Sequence, residues 1–173
     1  MIIEKEYKFY AAHRNEELTD KCRNLHGHRY NVRFRFEVKR TSSYSTLFSE
    51  FDQKIEPLLK EEYDHGMLIN IHDSLYDTLV DHMARTGETL KLKTFSRPTS
   101  VENLAHQLFS EVLAMGFCLI EIELRETDTS VLVYNRQDWL QDERRFADEK
   151  RAVAPPVAAN VSLSPTGLEN ELA

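Results

Sequence analysis

The stretch that most constrains this chain is "HGHRYNVRFRFEV", residues 26–38, because its side chains alternate without a break. His26, His28, Tyr30, Val32, Phe34, Phe36 and Val38 hold the even positions, and Gly27, Arg29, Asn31, Arg33, Arg35 and Glu37 the odd ones. Such a period of two describes a strand with one face in the core and the other in water. The strand is expected over Leu25 to Arg40. Its protected face begins with two histidines, and Cys22 stands just upstream.

A second alternating stretch precedes it. "IIEKEYKFYAAH" predicts a strand from Ile2 to His13 with Tyr7, Phe9, Ala11 and His13 on one side, followed by a polar loop over residues 14–24. Antiparallel pairing through that loop sets the end of the first strand beside the start of the second, so His13 comes near His26 and His28. Residues two apart on a strand lie about 6.6 Å apart, a gap that two imidazoles can close to meet one metal at about 2.0–2.1 Å. A single histidine on an apolar face is ordinarily a packed core or rim residue. Three that converge argue for a metal, and three neutral nitrogens with a fourth position open form the catalytic zinc arrangement. Cys22 stays open to three readings: a fourth ligand, a nucleophile or base, or an inert thiol. A neighbouring metal, together with Lys21 and Arg23, would favour its thiolate.

Further along, "TSSYS" reads as a turn, and Phe51, Ile55, Leu58 and Leu59 predict a helix from Ser49 to Tyr63, interrupted by Pro57. "YDHGMLIN" reads as a loop with Asp64 and His65 side by side. An amphipathic segment and a short alternating run, "TLKLKTF", fill Ile71 to Phe95. Thr99 and Glu102 have capping-box spacing before the apolar stripe Val101, Leu104, Ala105, Leu108 and Val112, and Gly116 is a stop. "FCLIEIELRET" and "VLVY" supply two more strands, with Glu126 on the apolar side of the former. A carboxylate there requires a partner with donors.

This order predicts an α+β fold with a four-stranded antiparallel sheet and helices on one face. Residues 1–135 form the expected domain, with an insertion at about 71–97; 136–151 form a charged helical extension, and 152–173 a disordered tail. A net charge of −7 argues against nucleic acid as a partner. No apolar run reaches the roughly 20 residues of a membrane span. The N-terminus lacks a signal-peptide core and there are only two cysteines, so a cytoplasmic protein is expected.

The motifs "FYAAHRN", "CRNLHGHRYNV", "YDHGMLIN", "PTSVENLAHQLF" and "ETDTSVLVY" occur in order between Phe9 and Tyr134. Together they resemble the signature of the 6-pyruvoyl-tetrahydropterin synthase and 6-carboxy-tetrahydropterin synthase family. The three residues between Cys22 and His26 resemble the bacterial 6-carboxy branch, with its place in the queuosine pathway, more than the animal pyruvoyl branch. The resemblance implies Zn2+ held by His13, His26 and His28, with Cys22 as base and Asp64 with His65 as a second acid/base unit. It also implies that Glu126 anchors the pterin ring, with Glu102, Ser100 and Thr99 in the substrate-binding motif. For Glu102 a capping role is a sufficient structural explanation. The implied substrate is a small pterin triphosphate, and Arg14, Lys21, Arg23 and Arg97 border the motifs that would meet it. Subunit sheets joined into a barrel, as a homo-oligomer (trimer or hexamer) with sites between subunits, form the implied tunnelling-fold assembly. Two departures stand out: Glu50-Phe51 in "STLFSEFDQ" replaces the usual Asp-Phe, and the segment 71–95 is longer than in compact members. A non-catalytic zinc- or pterin-binding homologue is the rival reading, which the retained Cys22, Asp64 and His65 oppose.

Overall fold

The computed structural model describes residues 1–43 and 46–153. Two long strands, β1 (Ile2–His13) and β2 (His26–Glu37), pair antiparallel along their whole length, Ile2 against Glu37 through to His13 against His26. The alternation dictates this register, since a slip by one residue would turn the apolar set outward. Tyr7, Phe9 and Ala11 of β1 and Tyr30, Val32, Phe34 and Phe36 of β2 are buried on one side. The other side carries a lattice of ion pairs: Arg33 meets Glu6 and Glu123, and Arg35 meets Glu4 and Glu121.

The chain continues through α1 (Phe48–Leu58), β3 (Gly66–Asn70), α2 (Ser74–Thr86), β4 (Leu92–Phe95), α3 (Val101–Ala114), β5 (Leu119–Thr127), β6 (Ser130–Asn135) and α4 (Arg136–Val153). The sheet has six strands in the order β4-β3-β1-β2-β5-β6. It is mixed, because β3 runs parallel to both β1 and β4. This corrects the expected four antiparallel strands, and the stretch read as a loop is partly strand. The reason is physical: Leu68, Ile69 and Asn70 are all buried, so β3 shows no alternation, and β4 has only four residues.

α1 and α3 close the apolar face. Phe51 and Ile55 of α1 and Leu104, Leu108, Phe109 and Val112 of α3 join the strands in one core. Phe51 packs tilted against Phe36 and stacked against Phe117, at centroid separations of 4.5 and 4.8 Å. Asp52 accepts from Lys5 Nζ and the Tyr7 hydroxyl, each at 2.8 Å, tying α1 to β1.

The helix expected over Ser49 to Tyr63 becomes two pieces. α1 ends at Leu58, one residue past Pro57, and Leu59–Tyr63 form a π-helical turn in which the Asp64 N–H donates to Leu59 O at 2.7 Å. Pro57 lacks the donor that would bond the carbonyl four residues back, which weakens the ladder at this point. A second correction concerns the start of α3. Ser100 is its N-cap, accepting from Asn103 N, whereas Thr99 is buried and donates to Arg14 O at 3.0 Å. Gly116, with φ of 88°, follows that helix as expected.

α4 is the charged helix expected at 136–151, extended to Val153, and it packs Trp139 and Phe146 against α3. Residues 154–173 of the expected tail lie outside the described residues, as do Tyr44 and Ser45 of the expected turn. No described helix is long and apolar enough to cross a membrane.

Candidate functional site

The end of β1 and the start of β2 bring three imidazoles together. His13 pairs with His26 in register and His28 faces Ala11, so all three side chains leave the same face of two adjacent strands. Ring centroids lie 4.6 Å apart for His13 and His26, 5.2 Å for His13 and His28, and 4.9 Å for His26 and His28. One nitrogen from each lies within 4.8 Å of the other two. Gly27 lets the strands approach, for a Cβ there would sit 3.2 Å from Ala11 O.

The outer nitrogens are fixed by backbone. His13 Nδ1 bonds Thr99 O at 2.8 Å and His26 Nδ1 bonds Asn24 O at 2.7 Å. A carbonyl only accepts, so these Nδ1 atoms carry the protons and leave Nε2 with a free lone pair. His13 Nε2 is buried and has no hydrogen-bond partner. An orphaned buried acceptor is costly unless something positive occupies the space before it. Burial pushes the His13 pKa down to about 4, so the ring is neutral, as ligation requires. Burial also lowers that of His28, with His26 adding to the effect. The donor set therefore fits a divalent metal.

Glu126 closes one side of this cluster. Its Oε1 accepts from the Tyr30 hydroxyl at 3.3 Å and lies 4.0 Å from His13 Nε2. Burial raises its pKa; the Tyr30 hydroxyl opposes this and nearby Glu102 adds to it. Tyr30 was legible as core, but a buried phenol also needs a partner, and that signal pointed to a polar group beside the histidines.

Asp64 and His65 lie elsewhere. Gly66 is level with Ala11, which is level with His28, so the pair stands two strand spacings from His28, about 10 Å across the sheet. His65 lies beside exposed Tyr10, centroids 6.0 Å apart, over a shallow hollow bordered by Ala11, Ala12, Gly27, His28 and Arg29. Its Nδ1 bonds Asp64 Oδ2 at 2.9 Å, while Asp64 Oδ1 accepts from Tyr10 N at 2.8 Å. Those bonds and the nearby charges of His65 and Lys91 outweigh the effect of desolvation and hold Asp64 below the ordinary carboxylate range. His65 adopts φ of 56°, a left-handed conformation uncommon outside glycine. Lys91 Nζ reaches Asp64 O and Lys60 O, both at 2.8 Å. Nothing local in the sequence marked Lys91.

Cys22 sits in a single 3₁₀ turn, Lys21–Arg23, half-buried, its N–H donating to Asp20 and its carbonyl accepting from Asn15. It is not part of the converging three-residue group. Ser100 caps α3, and Glu102 lies in that helix's first turn. Two of the arginines bordering the motifs are already paired. Arg14 makes two bonds to Asp73 at 2.6 and 2.5 Å, and Arg97 bonds Glu149 at 2.9 Å while lying over the Phe146 ring.

The family description 6-pyruvoyl tetrahydropterin synthase matches residues 2–137. A 6-carboxy-5,6,7,8-tetrahydropterin synthase from Synechocystis is 38% identical over 140 residues, spanning 77% of this chain and 92% of that protein. Among solved structures, an uncharacterised Wolinella succinogenes protein superposes with a TM-score of 0.63 at 22% identity, covering 79% of this chain and 98% of its own. The Plasmodium falciparum 6-pyruvoyl tetrahydropterin synthase superposes with a TM-score of 0.56 at 15% identity, covering 79% and 97%. At these identities the two structures establish the fold; the family match and the Synechocystis relative establish descent, and this chain belongs to the 6-pyruvoyl tetrahydropterin synthase family.

Proposed function

We propose that this chain is a zinc-dependent lyase that converts 7,8-dihydroneopterin triphosphate and one water to 6-carboxy-5,6,7,8-tetrahydropterin, with acetaldehyde and triphosphate released. The observation that carries the reading is the buried, partnerless Nε2 of His13 converging with His26 and His28. These three residues would hold the zinc. Bound there, it supplies a Lewis acid that polarises the substrate's hydroxylated side chain and makes its protons easier to remove.

The remaining work falls to the chain's own groups. Glu126, half-enclosed and already raised in pKa by burial, anchors the pterin ring by accepting two parallel N–H bonds, which compensate the desolvated charge. Glu102, whose charge acts on Glu126, and Ser100, which caps α3, would serve in substrate binding; the Thr99 hydroxyl is committed to Arg14 O, so its contribution is to hold His13 through its carbonyl. Cys22 takes a proton from the substrate side chain as thiolate. The Asp64–His65 pair relays protons, with the carboxylate orienting the imidazole through Nδ1. Because that pair stands about 10 Å from His28 on the Tyr10 side of the sheet, the site is completed between subunits of a homo-oligomer, where one chain's pair meets another's histidines.

Incubating the purified, untagged protein with 7,8-dihydroneopterin triphosphate and identifying products by mass spectrometry tests the reading. The expected products are 6-carboxy-tetrahydropterin and acetaldehyde. Triphosphate release without acetaldehyde would instead assign the 6-pyruvoyl product. Zinc binding without turnover would make the protein a binder rather than an enzyme.

A further inference from the structure

The segment between β3 and α3 has a use in the reading above. Residues 71–97 build α2 and then β4, whose four residues pair parallel with β3 from Met67 against Leu92 to Asn70 against Phe95. This pairing delivers two lysines onto the turn that precedes His65. Lys91 spans the turn, bonding the carbonyls of Lys60 and Asp64 at 2.8 Å each. Its stem packs over Gly66, where an added Cβ would come within 3.1 Å of the Lys91 Cδ.

Lys93 works one residue deeper. Its ammonium bonds Glu111 Oε1 at 2.6 Å and lies 4.7 Å from the centre of the Tyr63 ring. Glu111 Oε2 in turn accepts from the buried Tyr63 hydroxyl at 2.5 Å, and Gln107 steadies the same carboxylate at 2.8 Å. Tyr63 is the last residue of the π-helical turn, immediately before Asp64. The acid/base pair is thus gripped from both sides: its own carbonyl by Lys91, and its preceding residue by Lys93 acting through Glu111.

We propose that Lys91 and Lys93 are positioning residues that hold Asp64 and His65 in their left-handed corner. The inserted strand is then part of the catalytic apparatus although neither lysine touches substrate. A π-helical turn and a positive φ at a non-glycine residue are conformations that persist only where their surroundings impose them. The two lysines add to what Tyr10 of β1 supplies, its N–H donating to Asp64 Oδ1 at 2.8 Å and its carbonyl accepting from the His65 N–H at 2.6 Å. This inference rests on the proposed role of the Asp64–His65 pair.

The test uses the full chain with zinc and 7,8-dihydroneopterin triphosphate. Lys91 is exposed, so Lys91→Met leaves the core intact. Expected are a loss of about tenfold in kcat with KM within about twofold, because a displaced group loses reaction geometry more than ground-state binding. Lys91→Arg, which can donate to both carbonyls, recovers most of the lost kcat. Tyr63→Phe, which keeps the ring and deletes the hydroxyl bonded to Glu111, lowers kcat in the same way. Unchanged kcat in Lys91→Met, or a loss that Lys91→Arg does not recover and that parallels a fall in Tm, overturns the proposal. Amide hydrogen exchange separates it from the functional reading. If the wild-type protein turns nothing over, that reading fails. Faster exchange of the His65 amide in Lys91→Met, with β1–β2 protection unaltered, still supports the clamp, and unchanged exchange at His65 refutes it.

Discussion

The histidine corner and the Asp64–His65 corner lie near the ends of neighbouring strands, yet different kinds of contact hold them. His13, His26 and His28 stand on β1 and β2, joined by 12 consecutive antiparallel pairs, and the outer nitrogens of His13 and His26 rest on backbone carbonyls. Asp64 and His65 sit after a π-helical turn, at the head of a five-residue strand; the Tyr10 backbone of β1 bonds both, and Lys91, just before β4, and Glu111 of α3 brace the turn. The first corner is as stable as the central sheet. The second follows an irregular turn at the head of a short strand, and it is the one open to local adjustment.

The most damaging change is expected in the first corner. His28→Ala removes one of the three proposed ligands, and metal analysis of the untagged variant should show zinc lost together with turnover. Full metal content in this variant would dissolve the histidine corner as a metal site. Next in size, Asp64→Asn should cost about 10²–10⁴-fold in kcat, the range of a lost general acid or base, while bound metal stays stoichiometric. A fall in metal content here would show that the two corners are one unit after all.

Glu126→Gln sharpens the histidine side of the comparison. Charge-assisted bonds contribute about 1.5–3 kcal/mol, so KM should rise about tenfold to a hundredfold while zinc content holds. Smallest in activity, but measurable in stability, is Asp73→Ala. Asp73 is buried, receives two Arg14 bonds and caps α2 through Leu75 N, so its loss should cost about 2–3 kcal/mol at pH 7 by urea unfolding. The Arg14 guanidinium lowers the Asp73 pKa below its ordinary value near 4. Its contribution is therefore fully present above pH 4 and lost as pH falls through the depressed folded-state value. The pH-dependent part of the difference between wild type and Asp73→Ala should shrink accordingly on acidification; a constant difference would mean that the ion pair adds nothing.

The contrast also explains what could be read from sequence. β1, β2 and the convergence of His13 with His26 and His28 were legible because both strands alternate and are joined by a short loop. β3 was not, since burial of Leu68, Ile69 and Asn70 on successive positions erases the period. Ser100 and Thr99 are both competent caps, and only the inward bond from Thr99 to Arg14 O decides between them. The hold of Lys91 and Lys93 on the Asp64 turn is long-range, set by a parallel pairing with no local signature. Glu126 was identifiable as a carboxylate in need of donors; that Tyr30 supplies one depended on the register between β2 and β5.

The pairing of β1 with β2, tightened at Gly27, also gives the chain a means of proofreading. A slip of one residue would turn Arg33 and Arg35 inward and Phe34 and Phe36 outward, and the same slip would swing His26 and His28 away from His13. Misregistration and failure to capture a metal are then one event. Capture of the proposed ion would require the alignment of the two longest strands, so metal occupancy would report correct folding as well as readiness to react.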